Sequence, residues 1–185
     1  EEASGFDSRL WHNQGNTKDQ GLSMAITDPV LTPSLDREPR FVPLQDAALI
    51  LGLQLLLLIF RLGQVPLLGP DEPRYARVAV EMARANEFVT PTLSGEPWLE
   101  KPPLYYWLAG LSYRVFGENE LAARLPAAGA ALLMTAFTGL FAARLFGRAC
   151  GRISMLILAT SPLAFAFGRA ATMDSLVAAF ITGAT

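Results

Sequence analysis

The 185-residue sequence contains little of the chemistry on which many enzymes depend. Its one cysteine, Cys150, excludes an internal disulfide and a CxxC metal or redox motif. Its one histidine, His12, lies in a polar leader, so the hydrophobic part cannot build a Ser-His pair or a zinc site with several histidines. The sequence has no cluster of basic residues that would indicate nucleic-acid binding, and its net charge of −2 identifies no binding partner.

Hydrophobic residues make up 51% of the chain and charged residues only 17%, which is typical of a membrane protein. The first 45 residues are polar and contain several prolines, and we expect residues 1–45 to be a disordered leader. Met24 within it is a plausible true start. Since the sequence begins without methionine and stops inside an apolar run, we expect a fragment, with residues 46–185 as the amino-terminal part of a transmembrane domain.

Apolar runs predict membrane-spanning helices at about residues 47–68, 121–147, 153–168 and 174–185, the last cut off by the end of the sequence. The predicted fold is therefore all-α and multi-span. Pro126 and Pro162 are tolerated near helix ends or as kinks. Arg61 inside the first run is expected to lie near one end or to face other helices.

Arginines between the second and third spans predict the orientation of the chain. Arg144, Arg148 and Arg152 lie in a short connection without an acid, so this connection is expected in the cytoplasm. The long loop of residues 69–120 then lies on the outer face, as does the link of residues 169–174.

The outer loop has helical signals of its own. Tyr75, Val78, Ala79 and Met82 form the apolar stripe of an amphipathic helix, and PLYYWLAGLSYRVFG predicts a second helix rich in aromatic residues. Because such residues prefer the boundary between water and lipid, we expect two interfacial helices joined by a constrained turn.

Two adjacent acids, Asp71 and Glu72, begin the first of these helices. One interpretation is that they cap the helix, since Pro73 fits its first turn and an acid there meets the positive end of the helix dipole. The other is that one acid caps the helix while the second accepts a proton from a nucleophile at the membrane boundary.

Further charged residues suit a phosphate-bearing lipid. Lys101 precedes two prolines that favour the start of a helix, where its ammonium group and free backbone N–H groups could bind a phosphate. The simpler interpretation is a solvent-exposed lysine that anchors the chain at the membrane interface. Glu100 either pairs with this lysine or binds a cation. Arg169 is an interface anchor or a substrate contact, whereas Asp174, entering a span, is expected to face the protein interior and pair there.

The motifs PDEPRYA, EM, EKPPLYYW, FG, AARLP and ATMDS, in this order from Gln45 to the end, resemble the GT-C membrane glycosyltransferases. The similarity is to the branch with the lipid A aminoarabinose transferases and the protein O-mannosyltransferase relatives. It implies a multi-pass inner-membrane enzyme that transfers a sugar, with inversion, from a polyprenyl-phosphate carrier on the periplasmic face. The acceptor is lipid A, a glycan or a protein, and PPLYYW after EK leaves that choice open.

The resemblance also implies residue roles. Asp71 matches the catalytic acid, Asp174 a second functional acid, and Lys101 the lysine facing the carrier phosphate. Glu100 matches a ligand of a divalent cation, whose completing histidine is expected beyond residue 185, so the fragment itself should be inactive. No nucleotide cofactor is implied. Glu72 is assigned to substrate binding or, alternatively, to a role as a metal or structural ligand. Three further residues are assigned to substrate binding: Arg74, Tyr75 and Arg169.

A transporter or another lipid-handling membrane protein is the main alternative, since acids at helix ends also mark ion pathways. It predicts acids deep in several spans and internal repeats, which this sequence does not show. A purely structural membrane subunit would not need the DE and EKPP motifs in one outer loop.

Overall fold

The computed structural model describes residues 41–184, which form seven helices and one hairpin. Most of the predicted leader, including Met24, lies outside these residues, and the first helix already begins at Leu44, two residues before the predicted boundary. The elements in chain order are α1 Leu44–Ile59, α2 Asp71–Ala85, β1 Thr92–Leu93, β2 Glu96–Pro97, α3 Leu104–Phe116, α4 Glu120–Phe146, α5 Arg148–Thr160, α6 Pro162–Gly168 and α7 Asp174–Ala184.

The prediction of one helix over residues 47–68 is wrong. Helix α1 has 16 residues and ends at Ile59, so at about 1.5 Å per residue it is only about 24 Å long. Arg61 adopts a left-handed backbone with φ of 55°, and Pro66 disfavours a helical residue before it. An irregular segment, residues 60–70, therefore connects α1 to α2.

Helix α4, with 27 residues from Glu120 to Phe146, confirms a helix where the second span was predicted. Within residues 41–184 it is the one straight helix that is long and apolar enough to cross a membrane. Asn119 caps its start by accepting a hydrogen bond from the N–H of Ala122 at 2.8 Å. Pro126 lies inside the helix, in its second turn.

The predicted third span is broken into two helices. Helix α5 begins five residues earlier than predicted, at Arg148, and α6 follows at an angle of 63°. The bend falls at Ser161 and Pro162, because proline has no N–H to continue the helix. Helix α7 begins at Asp174, as predicted for the fourth span, and is short.

The core joins α2, α3, α4 and α7. The predicted apolar stripe on α2 is a buried face, and it packs on α3. Tyr105, Tyr106 and Tyr113, predicted to lie at a water–lipid interface, are buried there, whereas Trp107 and Phe116 are exposed. Two short strands, β1 and β2, pair antiparallel where the sequence predicted a constrained turn.

Helices α4 and α5 approach closely through two glycines. A Cβ added to Gly151 would lie 2.7 Å from Cβ of Ala143 and 2.8 Å from the carbonyl oxygen of Gly139. Small residues of this kind let membrane helices pack backbone to backbone.

We expect Gly151→Ala to lower the free energy of unfolding of the intact protein by about 1–3 kcal/mol through overpacking. Gly129→Ala in α4 is the matched control, because a Cβ there meets no atom within 4 Å. Thermal unfolding in detergent measures both variants. Equal stability of the two would contradict the close α4–α5 contact.

Candidate functional site

The site is built around the irregular segment that follows α1. Arg124, on α4, is 3% exposed and donates five hydrogen bonds, three to this segment and two to Glu72. Its guanidinium donates to the carbonyl oxygens of Leu62 at 2.8 Å, Val65 at 2.7 Å and Pro66 at 2.9 Å. These carbonyls lie beyond the end of α1 and have no hydrogen bond within a helix. Arg124 supplies their hydrogen-bond donors instead.

Arg124 also forms a buried ion pair with Glu72. Nη2 of the arginine lies 2.9 Å from Oε2 of Glu72, whose residue is 6% exposed. The same carboxylate accepts the N–H of Leu68 at 2.6 Å and the N–H of Ala171. Glu72 therefore joins the start of α2 to α4 and to the link before α7.

Burial alone would raise the pKa of Glu72, but the hydrogen bonds from Arg124, Leu68 and Ala171 together outweigh it. The net pKa lies below the usual value for glutamate, so the carboxylate is ionised at neutral pH. Its oxygens are occupied by groups of the protein. The contacts thus favour the structural role for Glu72 among those the sequence left open.

Asp71 precedes this buried acid and has a different environment. Its side chain is 55% exposed, lies at the first position of α2, and is 3.4 Å from Nη1 of Arg74. It lines a cavity of about 550 Å³ between the irregular segment, α6 and the link to α7. Adjacent positions on one helix therefore give one buried acid and one acid open to a ligand.

Arg169 lines the same cavity as Asp71. Its Nη1 donates to the carbonyl oxygens of Leu57 at 3.0 Å, Leu58 at 2.9 Å and Phe60 at 2.7 Å. These are free carbonyls at the end of α1, where a cation also meets the negative end of the helix dipole. Arg169 thus caps α1 and contributes positive charge to the wall of the cavity.

Four charged residues of the predicted site influence Tyr75 electrostatically. Burial raises the pKa of Tyr75, the charges of Asp71 and Glu100 add to the rise, and those of Lys101 and Arg74 oppose it. The tyrosine hydroxyl is thus within electrostatic reach of all four charges. Asp71, Arg74 and Tyr75 lie in the first turns of α2, whereas Glu100 and Lys101 precede α3.

Asp174 is not in this group. It is exposed at the start of α7 and lines a different cavity, of about 300 Å³, with residues of α5, α6 and α7. The interior partner that the sequence led us to expect for it is not among the contacts of the described residues. Its role as a second functional acid stays a prediction.

The described residues do not provide a complete metal site. Glu100 is exposed, and residues 41–184 contain no group of three His, Cys, Asp or Glu side chains that could hold an ion. The cation implied at Glu100 stays a prediction, and we derive no step through it.

Sequence analysis missed Arg124 as a site residue. The signal was present, since an arginine inside a predicted membrane span is costly unless it is paired within the protein. Its partners were not visible, because Glu72 precedes it by 52 residues and three of its acceptors are backbone carbonyls.

The sequence and fold match known proteins. Residues 100–185 match the family described as dolichyl-phosphate-mannose-protein mannosyltransferase. An uncharacterized protein of Aquifex aeolicus is 36% identical over 69% of this chain and 26% of its own length. The undecaprenyl phosphate-alpha-4-amino-4-deoxy-L-arabinose arabinosyl transferase of Aeromonas salmonicida is 31% identical over 70% of this chain and 24% of its own.

The crystal structure of ArnT from Cupriavidus metallidurans bound to undecaprenyl phosphate matches 73% of this chain with a TM-score of 0.69 and 30% identity. The comparisons confirm the resemblance to the GT-C membrane glycosyltransferases. This GT-C similarity is partial in length, because the chain spans about a quarter of the ArnT chain and of the Aquifex and Aeromonas relatives.

We expect Glu72→Ala or Arg124→Ala to destabilise the intact protein by about 3–5 kcal/mol, because each leaves an unpaired buried charge. Arg152→Ala is the control: its ion pair with Asp46 is exposed and should contribute about 0–1 kcal/mol.

Because folding lowers the pKa of Glu72, the contribution of this carboxylate to the stability of the fold is present at neutral pH and is lost as the pH falls through that lowered value. Thermal unfolding against pH measures both effects; a pH-independent difference between wild type and Glu72→Ala would contradict the ionised pair.

Proposed function

We propose that this chain is part of a membrane glycosyltransferase that moves a sugar from a polyprenyl-phosphate carrier to lipid A, a glycan or a protein. The observation that carries the proposal is the position of Asp71. This exposed acid lines a cavity whose wall also carries Arg169, and it lies 3.4 Å from Nη1 of Arg74. A proton acceptor beside cationic groups suits the transfer of a sugar from a phosphate.

In this mechanism Asp71 takes the proton from the hydroxyl or phosphate oxygen of the acceptor as that oxygen bonds to the anomeric carbon. The bond from the same carbon to the carrier phosphate breaks on the opposite face, and its electron pair leaves with the phosphate. The sugar passes through an oxocarbenium-like state and inverts. Lys101 stabilises the charge that develops on the departing phosphate.

The names of the relatives support this donor class. The Aeromonas relative is named for undecaprenyl phosphate-linked aminoarabinose, and the matched family for dolichyl-phosphate mannose. Both are sugars on polyprenyl-type phosphate carriers. We therefore propose a donor of this class and leave the sugar to experiment.

Contacts at the two ends of α1 support the proposed orientation in the inner membrane. Near its start, Arg152 donates to Asp46 at 3.1 Å, which brings the arginine-rich α4–α5 junction to this end. At its other end lie Arg169 and the cavity of Asp71. With the arginine-rich end in the cytoplasm, Asp71 lies on the periplasmic side.

The exposed surface supports a multi-pass arrangement, with α2 and α3 as helices over the outer ends of the spans. Helix α1 exposes large apolar side chains around much of its surface, as a helix facing lipid or other membrane helices does. Helix α3 exposes Trp107 and Phe116, aromatic residues that suit the interface.

We expect Asp71→Asn to reduce sugar transfer by about 100- to 10,000-fold while the protein stays folded, because the amide cannot accept the proton. The assay uses the intact protein with polyprenyl-phosphate donors carrying mannose or 4-amino-4-deoxy-L-arabinose. Asp46→Asn is the control, since Asp46 lies at the other end of α1. Near wild-type turnover in Asp71→Asn would exclude the base role.

Lys101→Ala is expected to raise the donor KM about tenfold or more, because a charge-assisted hydrogen bond to phosphate is lost. Lys101→Arg keeps the charge and should recover part of the affinity. The dependence of rate on donor concentration measures both. An unchanged donor KM in Lys101→Ala would argue against phosphate recognition by this residue.

A further inference from the structure

A short hairpin lies directly before the segment that carries Lys101. Strands β1 and β2 pair Thr92 with Pro97 and Leu93 with Glu96. The turn between them places Ser94 at φ of 58° and Gly95 at φ of 85°. Two consecutive positive φ values define the tight hairpin turn that matches the twist of paired strands. Serine adopts this conformation less readily than glycine, so the turn needs support from outside.

Glu81, on α2, provides that support through both oxygens of its carboxylate. Oε1 accepts the N–H of Ser94 at 3.0 Å, and Oε2 accepts the N–H of Gly95 at 3.3 Å. Oε2 also accepts the hydroxyl of Thr92 at 3.2 Å. One side chain thus holds the first strand and both central residues of the turn.

Arg77 completes this arrangement one turn earlier on α2, donating from Nε to Oε1 of Glu81 at 2.8 Å. This hydrogen bond lowers the pKa of Glu81, burial opposes it, and the hairpin N–H groups lower the pKa further. The carboxylate is therefore charged at neutral pH and accepts stronger hydrogen bonds than a neutral group would.

The end of the hairpin is held on the same helix. The N–H of Trp98 donates to the carbonyl of Pro91 at 2.7 Å, which closes the base of the hairpin. The guanidinium of Arg74 lies 5.5 Å from the centre of the Trp98 ring, a cation–π contact. Lys101 follows three residues after Trp98 and is itself followed by Pro102 and Pro103, which restrict the backbone.

Helix α2 thus carries Asp71 at its start and, through Glu81, holds the hairpin that leads to Lys101. We propose that Glu81 is a positioning residue that fixes Lys101 relative to Asp71 by anchoring the turn of residues 94–95. Glu81 touches no reacting group in this role and acts through the hairpin. The inference rests on the proposed function, because it concerns the affinity of Lys101 for a phosphate.

The test compares Glu81→Gln with Glu96→Gln in the intact protein. A glutamine keeps one acceptor oxygen and presents an NH2 group to backbone N–H groups, so the turn loses part of its support. Glu96 is an exposed glutamate of the same hairpin and serves as the matched control. Amide hydrogen exchange at Ser94 and Gly95 reports on the anchor, and binding of undecaprenyl phosphate in detergent reports on Lys101.

We expect Glu81→Gln to accelerate exchange at the turn and to weaken undecaprenyl phosphate binding about two- to tenfold, the loss typical of a net hydrogen bond. In the Lys101→Ala background the same substitution should have no further effect on binding, because the residue it positions is gone. The donor KM should rise in parallel with the loss of binding, and kcat should fall no further than it does in Lys101→Ala. Glu96→Gln should change neither exchange nor binding.

Unchanged amide hydrogen exchange at Ser94 and Gly95 in Glu81→Gln would overturn the inference that Glu81 anchors the turn. Faster exchange with unchanged binding, or an equal loss of binding with and without Lys101, would overturn the positioning role. Normal binding without sugar transfer in the wild type would instead refute the proposed function and leave the role of Glu81 standing. A wild-type protein that binds no undecaprenyl phosphate would overturn both.

Discussion

The buried ion pair between Arg124 and Glu72 is the constraint on which the rest of the structure depends. Removing two charges from water is costly, and the Coulomb attraction between them rarely offsets that cost alone. Here the remaining hydrogen-bonding capacity of both groups is used by backbone, from three carbonyls on one side and two N–H groups on the other. The pair therefore works as a joint between chain segments far apart in sequence.

This ion pair explains how the exposed acid Asp71 lies directly beside the buried acid Glu72. Because Glu72 is fixed between α4 and the link before α7, the residue before it has little freedom of position although its own side chain is exposed. The backbone of its neighbour thus places Asp71, whose own side chain has the 3.4 Å contact with Arg74. An exposed carboxylate on a fixed backbone combines access for a ligand with a defined place, which proximity catalysis requires.

Local signals predicted more of the fold than of its contacts. Pro162, where the sequence left a helix end or a kink open, lies at the break between α5 and α6. The stripe of Tyr75 and Met82 correctly gave the apolar face of a helix, since periodicity depends on neighbouring residues. The partner of that face was not predictable, because an apolar stripe suits lipid and protein equally. The early end of α1 was missed because the apolar run continues past Ile59. The arginines that bind the carbonyls at and beyond this end, Arg124 and Arg169, come much later in the sequence.

The bend between α5 and α6 has a consequence for the two cavities. Helix α6 is a seven-residue segment, and it contributes Phe165 and Ala166 to the cavity of Asp71 but Leu163 and Phe167 to the cavity of Asp174. Helix α6 therefore forms part of the wall of both cavities. A displacement of this short helix would change the shape of both cavities, although the two acids lie in different ones.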